Sequence, residues 1–305
     1  MTRLVLLGPQ RRPTLGHVVE TLELAGPVVT VTAGWQEREP DDAELTGLLG
    51  GTSTNLALHA RWLDVLERDP DFAVAERSHR AALAQLQELY LLQLDGALRA
   101  LAEIDAHGGP DPVRALVRAD AAAAVRDIDE RHLTRVALAR ADFGEAWPPA
   151  GREAIAEHRA QVAGVLDGAA ALAVAGGHVG VLLHLLRLFA VGPRVPGTVI
   201  AWSAGAMALT DRVLLFHDRA PHGPTHPEFL DAGLGVLPGC VLLPHARRRL
   251  QTDDHARLAV LASRTAPARL VVLDDGVRVD LGAGGALPAG ARVVAADGRI
   301  EELVS

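Results

Sequence analysis

The feature that most constrains this chain is the separation of its secondary-structure signals into two β-rich ends and a long stretch between them that carries almost none. Residues 3–7, RLVLL, and 26–34, GPVVTVTAG, have the pattern of short apolar strands, and the segment between them has helical spacing. The strand pattern resumes at 170–178, AALAVAGGH, and 197–205, GTVIAWSAG. Strand, helix and strand in succession predict an α/β fold with a mostly parallel sheet flanked by helices.

The intervening stretch is rich in Ala, Leu, Arg and Glu, and leucines such as Leu83 and Leu94 recur on one helical face. We therefore predict an α/β domain formed by residues 1–35 and 161–305, interrupted by a helical insertion over 36–160. An insertion of this length must bury its apolar face against something. It is either a lid over the site or a dimerisation element, which leaves a homodimer as one interpretation.

The C-terminal segment, ARLVVLDDGVRVDLGAGGALPAGARVVAADGRIEELVS, contains short apolar runs separated by Asp-Gly and Gly-Gly pairs. Such pairs are typical of tight hairpin turns. We therefore predict that this segment adds antiparallel β structure after the parallel sheet.

Composition excludes several function classes. The single cysteine, Cys240, rules out an internal disulfide or a CxxC metal site. A net charge of −8 and an aromatic content of 3% argue against non-specific nucleic-acid binding and base stacking. The N-terminal apolar run breaks into Gly, Pro and Arg, and no uncharged apolar run reaches the roughly 18 residues that span a membrane. We expect a soluble, cytoplasmic protein with neither nucleic-acid nor membrane partners.

Ser203 lies at a predicted strand-to-helix turn within VIAWSAGAMAL, because TVIAW has a strand pattern and AGAMAL can begin a helix. A nucleophile elbow occupies such a turn, and its neighbours must be small because strand and helix almost touch there. Ala201, Ala204 and Gly205 meet that requirement. The alternative interpretation is that Ser203 is only a small residue at a tight crossing.

Two further residues favour the chemical interpretation of Ser203. Asp218 follows the next strand pattern, RVLLFHD, and His245 ends the apolar run GCVLLPH. Ligands of open α/β sheets bind at the carboxyl ends of the strands, so these three side chains are candidates to meet in one crevice. The histidine would take the proton of the serine hydroxyl while the carboxylate orients the imidazole.

The chain resembles the S51 serine peptidases in four features: GGH before a Leu-rich helix, WSAGA, the spacing to Asp218, and GLGVLPG leading into PH. That family contains dipeptidase E, an aspartyl dipeptidase, and cyanophycinase, and has the class I glutamine amidotransferase-like, flavodoxin-like fold. The resemblance covers residues 170–280 and, loosely, 1–35, but not the helical block. It implies that Ser203 is the nucleophile and His245 the base.

The resemblance also implies the other parts of the site. The third triad member of dipeptidase E matches Asp218, whereas cyanophycinases use a glutamate where this chain has Pro221; we adopt Asp218. The family's glycine turn, which supplies an oxyanion-hole amide, matches Gly176 and Gly177. The second oxyanion donor is the amide of Ala204, and Trp202 flanks the nucleophile as a substrate-binding residue together with Gly176.

The substrate side of the site departs from the family pattern. His178 stands where the family usually has Asn, and Ala201 where it usually has Gly, so His178 is a candidate substrate contact. Arginines that follow the histidine of cyanophycinases and help to hold substrate match Arg248 and Arg249 in HARRRL. The alternative is that these arginines are solvated charges at the start of a helix.

We therefore predict a serine-type peptidase that cleaves a peptide or isopeptide bond in a small peptide and needs neither metal nor cofactor. The alternative is a non-catalytic binding or regulatory protein that keeps the fold, which Ala201, His178 and the foreign helical block would favour. A further set of ionisable residues matches no metal-binding spacing and is interpreted as a polar loop at the pocket rim. This set is His217, Asp218, His222, His226 and Glu228.

Overall fold

A computed structural model of the chain describes residues 2–108, 111–194, 197–216, 226–281 and 285–304. The strands are β1 (Arg3–Leu7), β2 (Val28–Val31), β3 (Ser53–Asn55), β4 (Ala171–Val174), β5 (Thr198–Trp202), β6 (Arg212–Leu215), β7 (Glu228–Ala232), β8 (Cys240–Pro244), β9 (Arg269–Leu273), β10 (Arg278–Leu281), β11 (Arg292–Val294) and β12 (Ile300–Glu302). The helices are α1 (Leu15–Leu22), α2 (Ala43–Leu48), α3 (Leu58–Arg68), α4 (Pro70–Ala106), α5 (Asp111–Ala146), α6 (Glu153–Asp167), α7 (Val179–Leu188), α8 (Ala204–Ala208), α9 (Ala246–Arg249) and α10 (His255–Thr265).

A central sheet has the strand order β10-β1-β5-β4-β2-β3. Neighbouring strands from β1 to β3 are parallel, and only β10 runs antiparallel, against β1. The predicted α/β fold with a mostly parallel sheet flanked by helices is therefore confirmed. Although β1 and β2 follow one another along the chain, β5 and β4 lie between them.

Both faces of this sheet are covered at its centre, which explains why β1, β2, β4 and β5 read as apolar runs. All residues of β2 and β4 are buried. On one face the sheet packs against buried Leu15 and Val18 of α1. On the other face it packs in the main core with Leu182 and Leu186 of α7 and Val162 of α6.

The helical block consists mainly of α4 and α5, which are 37 and 36 residues long and pack against each other. Tyr90, Leu94 and Val125 belong to a small apolar cluster between them. α5 also packs against β7 and α10, so this pair of helices lies on the α/β body. The edge strand β3 falls within the range 36–160 that composition predicted to be helical, and it pairs with β2.

The C-terminal β structure belongs to a mixed sheet of order β12-β11-β9-β8. The strands of the predicted segment pair antiparallel with one another, and β8, which precedes that segment, adds a parallel pair. β8 and β9 are parallel because α10 connects them as a crossover. β11 pairs antiparallel with both β9 and β12, while β10 leaves to join the central sheet.

None of the helices in the described part of the chain is long and apolar enough to cross a membrane. α4 and α5 are long enough to span a bilayer, but charged residues recur along both helices.

Candidate active site

A cleft of about 620 Å³ lies where several strands end. Because β1, β2, β4 and β5 are parallel, their carboxyl ends share one edge of the sheet, where ligands of open α/β sheets bind. Residues that follow each of these four strands line the cleft, and residues that end or follow β8 of the second sheet close it.

Ser203 is the first residue after β5 and precedes α8, as the sequence predicts for an elbow. Its backbone has φ 50° and ψ −121°, a conformation that non-glycine residues rarely adopt and that is found at strained functional turns. Its hydroxyl does not cap α8, and the side chain is partly exposed in the cleft.

The elbow at Ser203 requires glycine at positions 205 and 176. A Cβ placed on Gly205 would lie 2.2 Å from the carbonyl oxygen of Val174, and one on Gly176 would lie 2.9 Å from the Cβ of Ser203. Both distances are far below van der Waals contact, so the α8 end of the elbow presses on the end of β4. The predicted tight crossing and the predicted exposed serine are thus two properties of the same turn.

Gly177 requires glycine for two reasons. Its φ is 124°, and a Cβ there would lie 2.3 Å from the carbonyl oxygen of Gly34. That same oxygen accepts a hydrogen bond of 2.7 Å from the amide of His178, which fastens the turn after β4 to the segment after β2. Gly177 and Ala204 both line the cleft beside Ser203.

His245 follows β8, and its backbone is left-handed, with φ 59°. Its amide donates to the carbonyl oxygen of Leu273, and its carbonyl oxygen accepts from the amide of Arg249. The side chain lines the same cleft as Ser203. The two side chains are not joined by a direct hydrogen bond among the bonds of the described residues, so the cleft brings them together without completing a Ser-His pair.

Burial lowers the pKa of His245 to about 4, and the positive charges of Arg249, Arg11 and Arg248 act in the same direction, against Asp275. The imidazole is therefore neutral near pH 7 and has a lone pair available for a proton. Its basicity is low, because this arrangement disfavours the imidazolium that a general base must become.

The predicted third triad member, Asp218, lies outside the described residues, and so do His217, Pro221 and His222. Of the predicted polar loop, Glu228 is described: it begins β7, it is buried, and burial raises its pKa to about 7. His226 is described as partly exposed. Within the described ranges, no group of three or more His, Cys, Asp or Glu side chains is arranged to hold a metal ion.

The predicted substrate contacts occupy different positions around the cleft. Trp202 is 6% exposed and packs mainly with the α1 side of the sheet, although it also lines the cleft beside Gly176. Arg249 lines the cleft. Arg248 is exposed and outside that lining, yet near enough for its charge to act on His245.

His178 has a structural role in addition to its position in the cleft. It precedes α7, and its Nδ1 accepts a hydrogen bond of 3.2 Å from the amide of Val181. Since Nδ1 accepts, the neutral ring carries its proton on Nε2 and has that group as a hydrogen-bond donor. An Asn at this position would cap the helix in a similar way.

Sequence reasoning missed Gln10, Arg11 and Trp35, all of which line the cleft. Gln10 accepts hydrogen bonds from the amides of Thr14 and Leu15 through its Oε1, which fixes the loop after β1. The available signal was position: GPQRR directly follows the first strand, and polar residues after a parallel strand lie at the ligand edge.

No protein-family model matches the sequence, and no curated protein matches it. Among solved structures, the chain is similar to the crystal structure of a peptidase from an acI-B1 Actinobacterium, with 13% sequence identity and a TM-score of 0.47. The likeness covers 100% of this chain and 95% of that one. A likeness at this distance assigns no activity.

Proposed function

We propose that this protein is a serine hydrolase that cleaves a peptide or isopeptide bond in a small peptide. The observation that carries the proposal is the backbone of Ser203, held at φ 50° and ψ −121° between β5 and α8 and partly exposed in the cleft. A strained non-glycine residue at this position is costly, and such strain is typical of a functional site. The resemblance of its flanking motifs to S51 peptidases supports the same class, with the class I glutamine amidotransferase-like fold.

In the proposed reaction, Ser203 Oγ attacks the carbonyl carbon of the scissile bond while His245 accepts its proton. The amides of Gly177 and Ala204 stabilise the oxyanion of the tetrahedral intermediate. His245 then protonates the leaving amine. In the second half of the reaction His245 accepts a proton from a water molecule as that water attacks the acyl-enzyme, and it then returns the proton to the departing Oγ of Ser203. Asp218 is the proposed group that orients His245.

The charges around His245 favour a substrate with a carboxylate. Arg11 and Arg249 line the cleft and lower the pKa of His245, so a bound anion near them would raise that pKa and make the imidazole a stronger base. A peptide whose terminal carboxylate lies close to the scissile bond meets this condition. Short peptides therefore suit the site better than internal bonds of folded proteins.

A fluorophosphonate probe, which phosphonylates activated serines, tests the proposal. We expect labelling of the wild-type protein, loss of labelling in Ser203→Ala, and unchanged labelling in the matched control Ser78→Ala on α4. His245→Ala should slow both labelling and dipeptide hydrolysis by at least about a hundredfold. Folded wild-type protein that is not labelled, or hydrolysis that is insensitive to His245→Ala, would support the non-catalytic binding protein instead.

A further inference from the structure

A second cavity of about 240 Å³ adjoins the catalytic cleft. His178, Gly180 and Leu230 line both spaces, so the two cavities are neighbours at the start of α7. The far wall of the second cavity is built by the helical block, which contributes Trp62 and Leu83 among others. We call this space the side pocket.

The side pocket has mainly apolar walls. α4 contributes Leu83, α7 contributes Val181 and Leu185, β7 contributes Leu230, and Trp62 of α3 closes one side. Pockets that take an uncharged side chain have mainly apolar walls. The polar part of this lining consists of His79, Arg80, Arg140, His178 and His184. Its volume is on the scale of one large side chain rather than of a whole peptide.

The arginines at the side pocket lie near carboxylates of the protein. Arg140 lines the pocket, and its Nη2 lies 2.6 Å from Asp231 Oδ2, an oxygen that it shares with Arg187, which does not line the pocket. His79 also faces this space, where burial, and then the charge of Arg140, lower its pKa and keep the ring neutral.

The remaining cation, Arg80, is also accompanied by a carboxylate. Its guanidinium carbon lies 5.3 Å from the centroid of the Trp62 ring. Glu76 receives the indole N–H of Trp62 at 3.0 Å and lies 2.8 Å from His184 Nε2. Burial alone would raise the pKa of Glu76, but His184, Trp62 and Arg80 lower it, so this carboxylate is ionised. Arg140 is thus ion-paired, and Arg80 lies within electrostatic reach of an ionised carboxylate.

The boundary between the two cavities includes a residue without a side chain. A Cβ on Gly180 would lie 3.2 Å from Cε1 of His178 and 3.7 Å from a methyl carbon of Leu230. Those are the other two residues that border both spaces. Any side chain longer than a methyl group at position 180 would fill space at this boundary.

We propose that the side pocket is a specificity subsite, built jointly by the helical block and α7, that receives an uncharged aromatic or branched aliphatic side chain of a peptide held at Ser203. The proposal rests on the hydrolase function proposed above and names its substrate class. It also assigns a role to the helical block, which supplies one wall of the substrate site.

Equilibrium binding to the Ser203→Ala variant, measured by calorimetry, tests the subsite without any need for turnover. The probes are Phe-Gly, Gly-Phe, Leu-Gly, Gly-Leu, Asp-Gly, Gly-Asp and Gly-Gly, so that the variable side chain is presented on either side of the bond. We expect the better Phe or Leu isomer to bind at least about tenfold more tightly than Gly-Gly and the Asp peptides. Wild-type kcat/KM should show the same preference.

Two variants that fill the pocket from opposite walls, Leu83→Trp and Val181→Phe, should each abolish the preference for Phe and Leu while leaving Gly-Gly binding within about twofold. The matched control is Leu89→Trp, on the same helix as Leu83 but 51% exposed and outside the pocket lining. Circular dichroism and thermal melting establish that each variant is folded.

Equal binding of all the probes, or preference for Asp that is lost in Arg80→Ala, would overturn the subsite. An apolar preference that survives both filling variants would also overturn it. If Ser203→Ala binds Phe peptides selectively but the wild type neither hydrolyses them nor reacts with the fluorophosphonate, the hydrolase proposal fails and the pocket assignment stands. If the wild type reacts with the fluorophosphonate but Ser203→Ala shows no preference for Phe or Leu peptides, the subsite proposal fails and the hydrolase proposal stands.

Discussion

Arg264 of α10 and Asp129 of α5 form a bidentate ion pair, with Nε–Oδ2 at 2.8 Å and Nη2–Oδ1 at 3.0 Å. Their side chains are only 3% and 1% exposed. Tyr90 of α4 donates its hydroxyl proton to Asp129 at 2.7 Å and accepts from the amide of Phe229 at 3.2 Å. This network fastens the long helices to β7 and α10, and it thereby holds the helical wall of the side pocket.

Breaking that pair should be strongly destabilising, because one charge would remain buried without a partner. We expect Arg264→Met to lower the free energy of unfolding by about 3–5 kcal/mol, measured by urea denaturation. The exposed pair of Arg99 and Asp95 provides the control, since Arg99→Met should cost less than about 1 kcal/mol. A loss in Arg264→Met no larger than in Arg99→Met would show that the network does not hold the helices.

The pH dependence of hydrolysis should reflect the low pKa of His245. A general base is active only when unprotonated, so kcat/KM should stay high down to about pH 5 and fall by half near the pKa of about 4. Arg249→Ala removes a positive charge that disfavours the imidazolium, so the midpoint should move up by roughly half a unit. A dipeptide amide, which has no carboxylate, is the appropriate substrate, because a carboxylate would itself raise the pKa of His245.

Arg247→Ala is the matched control for this shift, because the Arg247 side chain is 76% exposed and lies by Asp274. It should leave the midpoint unchanged. A wild-type midpoint near pH 7, or equal shifts in the two variants, would contradict the assignment of this limb to His245 and its neighbouring arginines.

The elbow should tolerate no side chain at position 205. Gly205→Ala places a methyl group 2.2 Å from the carbonyl oxygen of Val174, so we expect a loss of at least about 2 kcal/mol in stability and of fluorophosphonate labelling. Gly96→Ala, within exposed α4 where a Cβ meets nothing within 4 Å, should instead stabilise the protein by about 0.5–1 kcal/mol. Thermal melting of both variants measures these changes. A Gly205→Ala variant as stable as the wild type would show that α8 and the end of β4 are not in tight contact.

Local patterns were enough to predict the parallel strands and the turn at Ser203. β1, β2, β4 and β5 are buried on both faces, so each reads as an apolar run that needs no partner to be recognised. The elbow could also be predicted from the sequence. β5 and α8 adjoin in the chain and lie close together at the turn, so the turn requires small residues such as Ala204 and Gly205.

What the tertiary structure decided depends on contacts between distant segments. The order β1-β5-β4-β2 brings the loop with Arg11 beside Ser203, although the two are far apart along the chain. The crossover through α10 makes β9 parallel to β8, a pairing on which the turn signals of the C-terminal segment have no bearing. The side pocket needs α3, α4, α5 and α7 together. The sequence by itself determines which residues can form strands, helices and tight turns, because those preferences are local. Which of them share a cleft is settled only when burial of the apolar faces brings the elements together.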